Sequence, residues 1–261
     1  MPRVSGVLLP FLYLLACTDA AAAEPVSTWT TVPRFTLYSE SSYQSGIDQI
    51  VSDTKTTLSV ARWDEWLDLY GGISVCQELR PSPDSYGGDN LLSVYPGISS
   101  GALRRAWNIP IQLFAEYRRI LTVNTAGQKS DPRYGAWLYH WVEPSDPVFF
   151  IESYGEVVHT ERIVADWVAA GWVKGGHRFK IEPALHWDPY LELAIKRDTA
   201  LFRGENTQEF RSGARIGYQP GAFGASLSMA RAWGGYARGL EGSVSSEYTE
   251  WRGLLAISGQ L

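Results

Sequence analysis

His177-Arg178-Phe179-Lys180-Ile181-Glu182-Pro183-Ala184-Leu185-His186-Trp187 is the stretch on which the fold turns. In an extended chain successive side chains point to opposite faces. Phe179, Ile181, Pro183, Leu185 and Trp187 then share one face, and Arg178, Lys180, Glu182, Ala184 and His186 share the other. The charges and imidazole on the second face are costly to bury in the dry core of a soluble sandwich. A water-filled lumen solvates them, while lipid takes the apolar face, so the segment is expected to be one strand of a membrane-spanning β-barrel.

The same alternation recurs elsewhere. In Glu209 to Gln219, Phe210, Ser212, Ala214, Ile216 and Tyr218 oppose Glu209, Arg211, Gly213, Arg215 and Gly217. In Ile111 to Arg118, Ile111, Leu113, Ala115 and Tyr117 oppose Gln112, Phe114, Glu116 and Arg118; in Phe149 to Val158, Phe149, Ile151, Ser153 and Val157 oppose Glu152, Tyr154 and Glu156. The expected lumen-lining residues are therefore Glu116, Arg118, Glu152, Tyr154, Glu156, Arg178, Lys180, Glu182, His186, Arg211 and Arg215. Weaker strand signals cover Phe35 to Glu40, Thr56 to Arg62, Leu67 to Gln77, Leu92 to Arg104, Tyr134 to Val142, Val164 to Val173, Phe223 to Trp233 and Trp251 to Leu261. The sum is an all-β, closed antiparallel transmembrane barrel of about twelve strands, with a range of about ten to fourteen because Tyr190 to Lys196 and Gly239 to Ser246 could each add one.

Composition agrees with this class. The 261 residues include 25 Gly, 14 Tyr and 11 Trp but only 2 Met, which suits short aromatic-rich strands. Residues 1–23 have the layout of an export signal, with Arg3, the apolar run Val7 to Leu15 and the small residues Ala20 to Ala23. The barrel domain is then 24–261, and the expected location is the outer membrane of a Gram-negative cell. A second reading of the leader makes Leu14-Leu15-Ala16-Cys17 a lipoprotein box. Removal of Arg3 and Asp19 together leaves the net charge of -5 unchanged, and an acidic chain without a Lys/Arg block speaks against nucleic-acid binding. Cys76 would then stand alone, so no disulfide framework forms within one chain. No mature run of about 18 apolar residues exists, which leaves a closed barrel as the way across a bilayer.

Lys174-Gly175-Gly176 and Pro220-Gly221-Ala222 have the make-up of tight turns, and Arg80 to Asn90, Thr125 to Arg133 and Arg197 to Thr207 that of longer surface loops. Trp63, Trp66, Trp107, Trp137, Trp141, Trp187, Trp233 and Trp251 lie near strand ends, where a barrel places its interfacial girdles. The chain finishes inside a strand, with Trp251, Gly253, Leu255, Ile257, Gly259 and Leu261 on one face.

Chemistry is less legible. His140, His159, His177 and His186 have no metal-ligand spacing, and no Gly-x-Ser-x-Gly elbow is present. His159 or His186 beside a strand serine could belong to a lipid-modifying barrel, although Glu152 and Glu156 beside Arg118, Arg178 and Lys180 are more simply a solvated charge network. Neither a cofactor nor a metal is expected.

Three stretches carry a family resemblance: Pro110-Ile111-Gln112-Leu113-Phe114-Ala115-Glu116-Tyr117-Arg118-Arg119, Arg178-Phe179-Lys180-Ile181-Glu182-Pro183 and Ser212-Gly213-Ala214-Arg215-Ile216-Gly217-Tyr218. Across about Leu92 to Leu261 the chain resembles the C-terminal barrel region of envelope proteins related to the phage N4 adsorption protein A. The resemblance implies an outer-membrane barrel tied to exopolysaccharide secretion, or one used as a phage receptor, working with polysaccharide and a periplasmic export partner. A small diffusion channel is the alternative drawn from the residues themselves, with a lipid-modifying barrel enzyme behind it.

Overall fold

The computed structural model describes residues 29–30, 33–45, 48–64, 66–80, 90–122, 129–142, 149–161, 165–199, 206–238 and 243–260. Twelve long strands form the wall: β1 Arg34–Gln44, β2 Gln49–Trp63, β3 Leu67–Arg80, β4 Leu91–Ser100, β5 Ile111–Ile120, β6 Ser130–Val142, β7 Phe149–Thr160, β8 Asp166–His177, β9 Leu185–Asp198, β10 Thr207–Tyr218, β11 Phe223–Arg238 and β12 Ser243–Gln260. A short helix, α1 (Ala102–Trp107), joins β4 to β5. Each strand pairs antiparallel with its sequence neighbours. The seam closes where β12 pairs β1 from Arg252 opposite Gln44 to Gln260 opposite Thr36. Closure gives each of the twelve strands a partner on both sides and leaves no sheet edge in lipid. No helix among the described residues is long and apolar enough to cross a membrane.

Alternation sorts the wall into two surfaces. Leu191, Leu193, Leu227 and Met229 point outward and are 55 to 64 % exposed. Glu116, Glu152, Asp188 and Glu192 point inward and are at most 7 % exposed. Large apolar groups outside and buried charges inside invert the pattern of a soluble protein, which is the arrangement a bilayer demands. Two aromatic clusters mark the rims of the lipid belt on β8. At one, Tyr134 stacks on His159 at 4.7 Å and Trp167 meets His159 at 5.2 Å. At the other, His177 lies 4.3 Å from Phe179 and 5.1 Å from Phe149. Ten residues separate Trp167 from His177, and at about 3.3 Å per residue and about 40° of tilt they span about 25 Å, the height of an outer-membrane belt.

The deciding stretch is not one strand. Residues 177–187 fold back on themselves, with Phe179 opposite Trp187 and Lys180 opposite His186. Leu185 N–H donates to Glu182 O at 3.1 Å, closing a turn that has Pro183 at its second position, where proline's fixed φ belongs. The inferred faces survive because the paired residues are an even number apart, so a strand and its return present the same parity to the same side. The strand that follows, β9, contains Tyr190 to Lys196 and takes the place given to His177 to Trp187.

Other expectations shift for local reasons. Lys174-Gly175-Gly176 lies within β8 and is not a turn. Gly176 is there because a Cβ would stand 2.2 Å from Pro189 O and 2.9 Å from the Phe150 ring. The Leu92 to Arg104 strand ends at Ser100, after which α1 begins. Trp137 and Trp141 face inward, opposite Glu156 and Glu152, and so belong to the lumen and not to a girdle. Pro220 to Ala222 does lie in the short link between β10 and β11. Residues 1–28, the middles of the three long links, residues 239–242 and Leu261 lie outside the described residues.

Between β3 and β4 the tyrosines and glycines interlock. Tyr70 stands opposite Gly97 and Tyr95 opposite Gly72. The two rings meet edge to face at 6.4 Å. Each covers the other strand's glycine so closely that a Cβ on Gly97 would lie 2.5 Å from the Tyr70 ring.

Candidate functional site

Inside the wall a chain of charges alternates in sign from residue to residue. Arg178 at the start of the β8–β9 link donates Nε and Nη2 to Asp188 at 3.0 and 2.9 Å. Arg215 on β10 reaches the same carboxylate at 3.1 and 2.9 Å and extends Nη1 to Glu152 on β7 at 2.9 Å. Lys174 Nζ lies 3.9 Å from Glu152 and 3.3 Å from Glu192. Arg211 bridges Glu192 at 2.5 Å and Glu209 at 2.6 Å. Arg252 joins Glu209 to Glu250, the latter at 2.7 Å.

Register makes this ladder. Glu192 stands directly opposite Lys174 on one side and Arg211 on the other, and Asp188 directly opposite Arg215. Directly opposed residues have the closest side chains in a sheet, so opposite charges there pair with little loss of rotamer freedom. The Arg215–Glu152 contact differs, because it crosses β8 and β9 as a chord.

A second cluster occupies the opposite wall. Glu116 accepts from Lys55 Nζ at 3.0 Å, Tyr70 Oη at 3.0 Å and Arg118 at 2.9 and 3.0 Å. Lys55 belongs to β2, so this contact is also a chord, here over β3 and β4. Both chords narrow the bore.

The expected lumen residues divide as follows. Glu116, Arg118, Glu152, Arg178, His186, Arg211 and Arg215 are brought into the two clusters. Tyr154 and Glu156 face inward and bond to each other at 2.8 Å. Lys180 stands exposed beside the mouth opposite His186, and Glu182 sits in the exposed turn outside the lumen. The sequence reading missed Asp188, Glu192 and Lys174, the centre of the ladder. Asp188, Tyr190 and Glu192 do show the i, i+2 spacing of one strand face, but Asp188 fell between two expected segments, Tyr190 to Lys196 counted only as an optional strand, and Lys174 was assigned to a turn. Asp53 and Lys55 gave the same signal in a stretch left outside the chosen boundaries.

At the end of the barrel that carries the 178–184 and 219–222 links, a cavity of about 500 Å³ opens among Tyr38, Tyr139, Trp141, Glu152, Arg178, His186 and Arg215. Trp141 stacks on Phe150 at 5.1 Å with the rings 9° from parallel. The Arg178 guanidinium lies 4.6 Å from the Trp141 ring centre, a cation–π distance. Tyr139 donates to Glu152 at 3.0 Å and remains 47 % exposed to the cavity. Flat apolar faces bordered by fixed donors and acceptors suit a solute that is polar around its edge and apolar on its faces.

His186 Nε2 lies 3.4 Å from Asp188 and faces this cavity. His140, His159 and His177 share the outward parity of β6, β7 and β8. Among the described residues, no group of three or more His, Cys, Asp or Glu side chains is placed to hold a metal ion.

The closed meander, the two-faced wall and the aromatic rims define a transmembrane β-barrel of the outer-membrane type. No family model and no curated protein matches the chain. Solved structures similar to it include the β domain of the Bordetella autotransporter BrkA, at 14 % identity over 87 % of this chain and 98 % of that one, with a TM-score of 0.42. LpxR from Salmonella typhimurium is similar at 12 % identity over 85 % and 99 %, with a TM-score of 0.41. A bacterial polysaccharide outer membrane secretin is similar at 10 % identity over 88 % and 99 %, with a TM-score of 0.44. These likenesses concern the fold alone.

Proposed function

We propose that the protein resides in the outer membrane and takes part in secretion of a surface polysaccharide, binding sugar units at the mouth of its lumen. The carrying observation is the cavity of about 500 Å³ lined by Tyr38, Tyr139, Trp141, Glu152, Arg178, His186 and Arg215. Aromatic faces pack against the C–H faces of a sugar ring, and the surrounding carboxylate, phenol and guanidinium groups match its hydroxyls. The cavity opens at the barrel end that carries both ends of the wall, which in this reading faces the periplasm and would receive a polymer before export. A periplasmic partner that delivers the chain would dock against the same end.

A small-solute diffusion channel is the second reading, favoured by the water exposure of Tyr38 and Tyr139, 46 and 47 %. One experiment separates the two. The purified protein is reconstituted in planar bilayers, and neutral oligosaccharides are added on the cavity side while single-channel current is recorded. Sugar binding predicts saturable block, weakened about tenfold by Trp141→Ala, the loss expected when one aromatic face is removed. Current without saturable block points to the diffusion channel. Block that is identical in Trp141→Ala removes the sugar-binding reading.

A further inference from the structure

Strand stagger leaves a step in the rim where the seam closes, at the end of the barrel away from the cavity. β12 begins at Ser243, but its pairing with β1 starts only at Arg252, opposite Gln44. One more position is joined: Ser45 N–H donates to Trp251 O at 3.0 Å, and Trp251 N–H donates to Ser45 Oγ at 2.8 Å. From Ser243 to Glu250, β12 has β11 on one side and, among the described residues, no strand on the other. In an antiparallel sheet the N–H and C=O of one residue point to the same neighbour, and the next residue's point to the opposite one. Both groups of Trp251 point toward β1, so those of Thr249 and Glu247 point to the open side. The register shifts between Tyr236 and Ala237, opposite Ser246 and Val244. The regular part of the open edge therefore runs from Ser246 to Glu250, about 17 Å of strand.

Comparable steps are covered by the chain itself. At the cavity end Trp29 and Thr30 pair with Trp63 and Arg62, along the edge of β2 that continues past its pairing with Arg34. At the loop end Asn90 accepts from Glu78 N–H at 3.1 Å and Asn206 from Asp198 N–H at 3.3 Å, which caps β3 and β9. The open edge of β12 is also poorly defended. Ser246-Glu247-Tyr248-Thr249-Glu250 contains no Pro or Lys, the residues that often blunt an edge, and its Tyr and Thr favour extended chain. The hairpin that carries it is held upright. Tyr248 stands opposite Gly234 and covers it so closely that a Cβ there would lie 2.6 Å from the ring. The same ring lies 5.1 Å from that of Tyr236, and its hydroxyl donates to Glu209. An edge fixed in this way loses little conformational freedom when a strand is added to it.

We propose that this edge binds an extended segment of a partner protein, which adds to β12 as an antiparallel strand and sets a basic side chain opposite Glu247. Donors and acceptors that repeat at strand spacing are matched by another polypeptide backbone, and not by a sugar or a lipid headgroup. Glu247 is the exposed charge of the stretch, whereas Glu250 is buried, and opposite charges directly across a sheet attract. In the orientation proposed above the edge faces the cell exterior, although binding by the purified protein does not depend on that orientation.

The test is fluorescence anisotropy of a short labelled peptide, alternating valine and threonine about a central lysine, titrated with the full chain folded in detergent. Expected is saturable binding, about fivefold weaker when glutamate replaces the lysine and lost when the peptide backbone is N-methylated. Thr249→Pro removes the N–H aimed at the open side and puts the ring in its place. Proline is tolerated on an edge, so this variant should still migrate as a folded species on unboiled gels while binding falls more than about tenfold. Glu247→Lys should invert the preference between the lysine and glutamate peptides, which tests the edge whatever Thr249→Pro does to folding. No saturable binding, equal binding of the N-methylated peptide, full binding by folded Thr249→Pro, or a preference unmoved by Glu247→Lys overturns the proposal.

Discussion

Asp188→Asn tests the ladder at its most loaded point. The carboxylate is fully buried and accepts four guanidinium N–H bonds, two from Arg178 and two from Arg215, at 2.9 to 3.1 Å. The amide keeps the shape but loses the charge and can accept at only one atom. Arg215 retains Glu152, so Arg178 bears most of the loss. Breaking a buried pair costs about 3 to 5 kcal/mol, and the lower figure applies because both guanidiniums keep an edge in lumen water. A loss of about 3 kcal/mol is a change of about 150-fold in the unfolding constant. Urea unfolding from phospholipid vesicles, followed by tryptophan emission, would measure it. Adding Arg178→Met removes the stranded cation and should recover part of the loss, since the penalty lies in the uncompensated charge. A single variant within about 0.5 kcal/mol of the parent, or a double variant no better than the single, would show that water and not Asp188 satisfies these arginines.

Gly97→Ala, which drives a Cβ to 2.5 Å from the Tyr70 ring, should cost about 1 to 3 kcal/mol in the same unfolding assay, whereas Gly253→Ala, with Tyr43 Cβ 3.5 Å away, should cost little. Leu193→Arg puts a cation on the lipid face where the side chain is 64 % exposed and should cost about 2 to 4 kcal/mol, against near neutrality for Leu193→Met; equal stability of the two would contradict a lipid belt at β9. Lys174→Ala leaves Glu152 and Glu192 without their shared cation and should shift the reversal potential of reconstituted protein in a salt gradient toward cation selectivity. An unmoved potential would mean that ions do not pass this wall.

The barrel was legible because a lumen and a lipid face write the same period of two on every strand. That signal is blind to turns of the right length. Phe179 and Trp187 lie eight residues apart and are also direct partners, so the outgoing and returning strands wrote one unbroken pattern. Pro183 was the mark of the break, since proline is confined within sheets to edges, strand starts and bulges. Misplacing that strand by half its length hid Asp188 and Glu192. Lys174 was hidden by its neighbours for a different reason: Gly175 and Gly176 resemble a turn in one dimension, while in three Gly176 makes room for Phe150. The partners Lys55 and Glu116, 61 residues apart, could not have been matched from spacing at all, because chords across a lumen depend on closure of the whole sheet.

The ladder also constrains what the lumen can discriminate. Arg178, Lys174, Arg211, Arg215 and Arg252 are matched one for one by Asp188, Glu152, Glu192, Glu209 and Glu250, so this wall is electrically neutral while rich in dipoles. A neutral wall of fixed ion pairs neither strongly attracts nor excludes ions of one sign, unlike a ring of like charges. It offers hydrogen-bond donors and acceptors held at set positions by register. Discrimination therefore falls to shape and to the aromatic surfaces at Trp141 and Tyr139, which is the footing on which the proposed neutral sugar polymer would be told from an ion.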